Sequence, residues 1–527
     1  MSDDSPQDNV GNNVGGWIQR WARRRGAQLA IADDERRLDY ASLDARIARL
    51  AGALQERGIG PGDRIAVLLA NRSAFLEAIF AAARMGAIAL PVNTRLSPRE
   101  ICFLLDDCSP SALFYESDLA KIVAAACGRA RRAPPLLCPV GGAGDAYEPL
   151  LAGATPLDEI RPVSPDDPMM LMYTSGTTGK PKGALLPHRK SLFNSLNAQL
   201  FFGIRGEDRV LVTAPLFHSL GLQILAIPLL YAGGSLVLQS RFDAAAVLET
   251  VERERISYFG GVPTYYQRIH DLIEERGVDA FDLGSLRFLF TAGAAIPVDL
   301  IHAFEGYGLV LKQGYGQTET SILCCLDERD AVRKAGSVGR PVFHAELRVV
   351  AQESLAGPAR GWRDVAPTTP EGAGETGEII VRGPIAMLGY WQRPEASAET
   401  LREGWVLTGD LATVDDEGFV SLVGRARDMY ISGGENVYPA EVEAVFREHP
   451  AVREIAVVGR PDPRWGEVGH AYVVPANERD LDPAALIEWA EDRLASFKMP
   501  KRFIAAQSLP RTASGKVQKH RLAAEGS

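Results

Sequence analysis

Several features that would narrow a protein's role at once are missing from this chain of 527 residues. None of its six cysteines (Cys102, Cys108, Cys127, Cys138, Cys324, Cys325) forms a CxxC pair and no histidine spacing accompanies them, so the usual zinc sites are excluded and buried, reduced thiols are expected. The opening residues, MSDDSPQDNVGNNVGG, have no basic start followed by an apolar stretch. They read as a polar, disordered tail over 1–15 and not as a secretory signal, which points to the cytoplasm. Positive charge is also short: 57 Lys and Arg against 67 Asp and Glu leave a net charge of −10, so no nucleic-acid partner is expected. From Val210 to Ser240 there is no Asp, Glu, Lys or Arg, but Pro215, His218, Pro228 and the Gly233-Gly234 pair interrupt the run. A buried strand, loop, helix and strand is expected there, and no transmembrane span. Internal repeats are absent.

What is present is the composition of a folding chain, with 46 % hydrophobic and 24 % charged residues. At roughly 150 residues per domain, the length implies about three or four folding units. Leu43, Ile47, Leu50 and Leu54 recur on one helical face, with Gly58 as a stop signal. Short apolar runs at Ile65 to Leu69, Ala87 to Val92, Val210 to Ala214, Ile256 to Phe259 and Leu286 to Phe290 read as buried strands between helices, the rhythm of α/β layers. From about residue 340 to 427 shorter strands (Leu347 to Val350, Glu378 to Val381, Phe419 to Val423) indicate a β-rich subdomain, with Gly357 to Gly377 as an exposed loop between two of them. Residues 428–527 carry helix-like runs at Ala440 to Glu448 and Pro483 to Ala495, which suggests a small α+β domain after a large one over 16–427.

The most informative segment is Tyr173-Thr-Ser-Gly-Thr-Thr-Gly-Lys-Pro-Lys-Gly183. Its glycines free the backbone to curl, and its N–H groups, with the hydroxyls of Thr174, Ser175, Thr177 and Thr178, can surround phosphate oxygens while Lys180 and Lys182 add charge. A Walker A loop would need glycine where Thr174 stands and Ser or Thr where Pro181 stands, so a P-loop kinase is disfavoured. Four further segments follow in order: Gly314-Tyr-Gly-Gln-Thr-Glu319, Thr408-Gly-Asp410, Gly424-Arg-Ala-Arg-Asp428 leading into Ser432-Gly-Gly-Glu435, and Pro510-Arg-Thr-Ala-Ser-Gly-Lys516. Alone, TGD is a common turn and a tail lysine is a solvated charge.

Taken together these segments resemble the signatures of the adenylate-forming superfamily, which includes acyl-CoA synthetases, amino-acid adenylation domains and firefly luciferase. The resemblance covers nearly the whole chain, with a weaker match through Tyr40-Ala-Ser-Leu43 and Gly86 to Asn93. It implies a large N-terminal domain of two α/β subdomains and a β-barrel-like piece, followed by a small C-terminal domain that rotates between half-reactions. It also implies a nucleotide site made of Thr174, Ser175, Gly176, Thr177, Thr178, Gly179, Lys182, Gly293, Ala294, Ala295, Gly314, Tyr315, Gly316, Thr318, Asp410 and Arg425. Within that site Tyr315 would lie on adenine, Thr318 would meet the adenylate phosphate and Asp410 would accept from the ribose hydroxyls. Glu319 would hold Mg²⁺ as a hard oxygen ligand. Lys516 would be the adenylation lysine, Gly433 and Gly434 would line the path of the thiol, and Arg427 stands at the hinge, where relatives carry Asp or Lys.

The same resemblance addresses the substrate. Where amino-acid adenylation domains carry an aspartate for the α-amine, this chain has Phe217-His218 within Pro215-Leu-Phe-His-Ser-Leu-Gly221, so an amino acid is not expected. The implied acyl pocket is His218, Leu220, Gly221, Leu222, Ala292, Gly293, Ser321, Ile322 and Leu323, and Gln313 stands where malonate-type ligases place an arginine. An ATP-dependent acid:CoA ligase acting on a hydrophobic monocarboxylate, fatty or aromatic, is the expected function, with ATP and coenzyme A as cosubstrates. Transfer to a free carrier protein, a luciferase-like oxygenase and a nucleotide-binding scaffold are the competing readings. A homodimer is an admissible assembly.

Overall fold

The computed structural model describes residues 11–174, 181–368, 374–432, 435–476, 481–491, 493–494, 496–511 and 517–524. Two compact units divide the chain, one of residues up to Leu347 with Val381–Val406, the other of Arg348–Ile380 with residues from Leu407 onward.

The first unit holds two sheets. A seven-stranded sheet runs in the order Gly389–Tyr390, Lys182–Pro187, Pro168–Thr174, Ile88–Pro91, Arg64–Leu68, Ala112–Glu116, Leu136–Val140. Its partner, nine-stranded, runs Arg340–Pro341, Ser321–Cys325, Leu311–Gln317, Phe288–Thr291, Tyr258–Gly261, Arg209–Val212, Ser235–Leu238, Leu29–Ala32, Arg37–Asp39. The middle of each is parallel and buried on both faces, as near-continuous apolar strands require. The helix expected from Leu43 to Leu54 spans Tyr40–Gln55, started by the Asp39 side chain accepting from Ser42 N–H, and Gly58 beyond it takes φ 75°. The uncharged run resolves into the strand Arg209–Val212, a π-helical turn Leu220–Ala226, the helix Ile227–Ala232 and the strand Ser235–Leu238. Among the described residues no helix is long and apolar enough to cross a membrane.

In the second unit the strands Tyr430–Ser432, Glu435–Val437, Val452–Asp462, Gly466–Pro475 and Arg502–Ala505 form one sheet, against which Val442 and Phe446 of the helix Pro439–Arg447 and Leu486 of the helix Pro483–Ala490 are buried. The stretch after Val350 departs from the simple exposed loop expected of it. Leu355, Trp362 and Val365 are buried, the Trp362 indole N–H donates to Gly357 O, and Arg363 pairs with Glu353 and Glu375 at 2.7 and 2.5 Å. The arginine is half exposed, so burial of the indole is the larger contribution. Residues 369–373 lie outside the described residues.

One buried side chain joins the two sheets of the first unit. Asn71, just past the strand Arg64–Leu68, puts its amide nitrogen 3.3, 3.0 and 3.1 Å from the carbonyl oxygens of Val212, Ala214 and Gln239, and its oxygen accepts from Leu216 N–H at 2.8 Å. Those groups sit where the chain leaves two strands of the other sheet; Val212 O also accepts from Gln239 N–H, while Ala214 O, Gln239 O and Leu216 N–H lie past the last ladder pair. Asn71→Ala removes the partner of Ala214 O, Gln239 O and Leu216 N–H. It is expected to cost about 2–4 kcal/mol, read by calorimetry as a lower midpoint for the transition of the first unit; an unchanged midpoint contradicts the latch.

Candidate active site

In an open parallel sheet the loops at the carboxyl ends of the strands form a crevice where neighbouring connections leave in opposite directions. Here that point is the strand Arg209–Val212. Its successor Ser235–Leu238 lies on one side, and Tyr258–Gly261, Phe288–Thr291 and Leu311–Gln317 follow on the other. The segments emerging at this edge are the ones singled out in the sequence.

After Val212 comes the segment of His218, whose N–H donates to Pro215 O and whose ring centroid lies 4.7 Å from that of Phe217. Gly221 is needed there, because a Cβ would stand 2.5 Å from Pro215 O. It opens the π-helical turn, a geometry frequent at functional sites, in which Leu222 is buried and Leu220 half-buried. After Thr291 the chain turns at Gly293 with φ 88°; Ala292 is buried, whereas Gly293, Ala294 and Ala295 are exposed.

The strand Leu311–Gln317 runs on past its parallel neighbour and folds back as a hairpin with Ser321–Cys325, where Gln317 faces Ser321 and the tip is Thr318-Glu319-Thr320. Its glycines answer to packing: a Cβ on Gly314 would meet the Phe290 ring at 2.7 Å, and one on Gly316 would stand 1.9 Å from Ser321 O. Packing alone thus requires glycine at both positions. Tyr315 is buried, Gly316 to Glu319 are half-exposed, and Ser321, Ile322 and Leu323 are buried. Thr213, Ser219, Thr291, Gln313 and Thr320, all at this edge, each carry a buried side-chain oxygen that no described protein group satisfies. Such a concentration is where a polar ligand or bound water is expected.

Glu319 is held at two points by residues the sequence reading did not single out. The Tyr390 hydroxyl donates to its Oε1 at 2.9 Å and Met387 N–H donates to its backbone carbonyl at 2.8 Å. Tyr390 also lies 5.3 Å by ring centroid from Lys182 Nζ, and its strand pairs with Lys182–Pro187. A Gly-Tyr-Trp run near a strand end was the available signal. Thr174 closes its own strand opposite Lys182, while Tyr173 donates to Asp107 at 2.6 Å, and burial pushes its hydroxyl well above the usual tyrosine range. Ser175, Gly176, Thr177, Thr178, Gly179 and Lys180 lie outside the described residues.

Lys190, also missed, is wholly buried on the helix His188–Phe202 and donates from Nζ to the Ser321 hydroxyl. Burial brings its ammonium down to about 7; nearby Glu319 pulls upward and Arg189 downward.

In the second unit, Asp410 and Arg425 are opposite one another on neighbouring strands and pair at 2.5 Å through Nε. The Thr408 hydroxyl donates to Ile379 O at 2.7 Å and accepts from Asp410 N–H, and Glu378 accepts from Gly409 N–H, with Gly409 at φ 68°. The structure thus presents Asp410 and Arg425 as one charge pair. Arg427 is exposed, 3.6 Å from Asp428. Gly433, Gly434 and Lys516 lie outside the described residues.

Comparison with known proteins fits this geometry. The model of the AMP-binding enzyme family matches residues 18–391, and that of the AMP-binding enzyme C-terminal domain matches 441–516. A feruloyl-CoA synthase of Amycolatopsis sp is 44% identical over 96% of this chain and 97% of its own length. An indoleacetate–CoA ligase of Aromatoleum aromaticum is 41% identical over 95% and 96%. Among solved structures, the o-succinylbenzoate CoA synthetase of Bacillus subtilis in complex with its acyl-adenylate intermediate superposes with a TM-score of 0.84 at 32% identity, over 96% of this chain and 97% of its own. The chain belongs to the AMP-binding enzyme family and is an enzyme of its acid–coenzyme A ligase branch.

Loss of the Tyr390 hydroxyl should loosen Glu319 without altering the fold. Tyr390→Phe is expected to lower kcat/KM for acid-dependent pyrophosphate–ATP exchange about ten-fold, the worth of one hydrogen bond to a charged group; exchange at the unaltered rate would contradict this role.

Proposed function

We propose that this enzyme activates an aromatic monocarboxylic acid as its acyl adenylate and transfers the acyl group to coenzyme A. The observation carrying this reading is the shared crevice edge, where the His218 segment, the Ala292–Gly293 turn and the Gly314–Glu319 hairpin all leave the carboxyl ends of strands in one parallel run, with Tyr258–Gly261 between the first and the other two. Aromaticity is favoured over a long alkyl chain because the feruloyl and indoleacetate relatives, at 44% and 41%, exceed the long-chain fatty-acid relative at 34%.

In the first half-reaction a carboxylate oxygen of the acid attacks the α-phosphorus of ATP, the bond to the β-phosphate oxygen breaks and pyrophosphate leaves. Thr174 and Lys182, with residues 175–180 between them, receive the phosphates; Thr318 meets the phosphate of the adenylate. Glu319, a half-exposed carboxylate at a hairpin tip, fits a hard divalent cation, and it would hold Mg²⁺. Bound there, Mg²⁺ supplies charge neutralisation at the phosphate oxygens. The Asp410 carboxylate, oriented by Arg425, accepts from the ribose hydroxyls. Lys516 delivers an ammonium as charge shifts from the carboxylate to the phosphate. In the second half-reaction segment 428–527 turns at Arg427, Gly433 and Gly434 line the thiol's approach, the coenzyme A sulfur attacks the acyl carbonyl and AMP leaves. Both cosubstrates are intracellular metabolites, which favours the cytoplasm; a homodimer is compatible with the reading.

The test is thioester formation by mass spectrometry with ferulate, indole-3-acetate, benzoate, octanoate and palmitate. Thioester is expected from the aromatic acids, with at least a hundred-fold loss of adenylate formation in Lys516→Ala. Preference for palmitate would overturn the aromatic assignment, and pyrophosphate without thioester would overturn coenzyme A as acceptor.

A further inference from the structure

A lysine inside a protein is costly, because its ammonium gives up water, and the cost is ordinarily met by a carboxylate. Lys190 has no such partner: among the described residues its one hydrogen bond goes to the Ser321 hydroxyl, and no carboxylate lies within 4 Å. Both residues have no exposed surface, so neither offers a face to a ligand. Among the described residues the one direct side-chain contact of Lys190 is Ser321, and Glu319 reaches it only through its field.

Ser321 is an unusual residue to hold. Its φ is 60°, in the left-handed region that non-glycine residues rarely adopt, and it is the first residue after the hairpin tip Thr318-Glu319-Thr320. Its carbonyl fills the space beside Gly316, where a Cβ would come within 1.9 Å. A change in the Ser321 backbone therefore displaces the tip.

The neighbouring residue of the same helix works on the other side of that tip. The Arg189 guanidinium donates to Pro384 O and Ala386 O, at 2.5 and 3.1 Å. That segment supplies Met387 N–H to the Glu319 carbonyl and the Tyr390 hydroxyl to the Glu319 carboxylate. Consecutive residues of one helix thus secure the two pieces of chain between which Glu319 is gripped.

We propose that Lys190 is a positioning residue for adenylate formation: by holding Ser321 in its left-handed conformation it sets the hairpin tip that presents Thr318 and Glu319. The inference rests on the reading of Glu319 as a group of the first half-reaction. It leaves the second half-reaction independent of Lys190, and it implies that the buried ammonium is kept at the expense of stability.

The test is Lys190→Met, which fills the same volume without the charge. Amide hydrogen exchange across Gly314–Cys325, which needs no substrate, is expected to rise at least ten-fold while the rest of the first unit stays protected and the melting temperature is unchanged or higher. With ferulate or indole-3-acetate, kcat of pyrophosphate–ATP exchange is expected to fall about ten-fold with the KM for the acid unchanged. Thioester formation from supplied feruloyl adenylate and coenzyme A is expected at the normal rate. Ser321→Gly, which tolerates the φ but lacks the hydroxyl, should reproduce the kinetic split and serves as the deciding variant if Lys190→Met does not fold. Unaltered hairpin exchange, or an equal fall in both half-reactions, overturns the proposal. Inactivity of the unaltered enzyme toward both acids, with raised hairpin exchange in Lys190→Met, would refute the substrate assignment and leave the positioning role standing.

Discussion

The first unit depends on a carboxamide. Asn71 satisfies backbone groups that two strands of the nine-stranded sheet leave behind as they end, and it reaches them from the loop after a strand of the seven-stranded sheet. A parallel sheet must release its chain at the carboxyl edge, and the released carbonyls are buried. The His218 segment begins within two residues of the Leu216 N–H that Asn71 secures, so the latch and that segment are the same piece of chain.

A second constraint shapes the hairpin at the far side of this edge. Gly316 and Ser321 approach so closely that one must be glycine and the other left-handed. The energy stored there is offset by groups brought from distant parts of the chain: Lys190 against Ser321, Met387 and Tyr390 against Glu319. The half-exposed tip is thereby held at several points, which in the proposed reaction is the condition for electrostatic stabilisation without reorganisation.

Much of the layout was legible in the residues themselves. Apolar runs separated by turn residues marked the parallel strands to within about two positions, because burial on both faces leaves no polar alternation to confuse them. The uncharged run from Val210 to Ser240 was readable as buried α/β structure from its prolines and paired glycines. Motif order is the signal for the proposed nucleotide residues. The stretch from Gly357 was misjudged as a plain exposed loop, since its composition is that of a turn-rich segment and the burial of Trp362 is a tertiary event. The missing Cβ atoms of Gly314 and Gly316 make room for Phe290 and Ser321, a partner set only the hairpin register defines.

Sequence alone determined the class: the local chemistry of a glycine- and hydroxyl-rich segment, a glycine-rich hexapeptide ending in a carboxylate, a TGD motif and a tail lysine, together with the periodicity of an α/β chain. Those are properties of residues close in the chain, where spacing is itself geometry. Tertiary structure decided which charges work together. Lys190 and Ser321 are 131 positions apart, Tyr390 and Glu319 are 71 apart, and Asn71 binds carbonyls more than 140 residues away. No spacing rule connects such pairs, because they meet only when sheets and helices pack, and the low dielectric that gives a buried ammonium or carboxamide its weight exists only after that packing is complete.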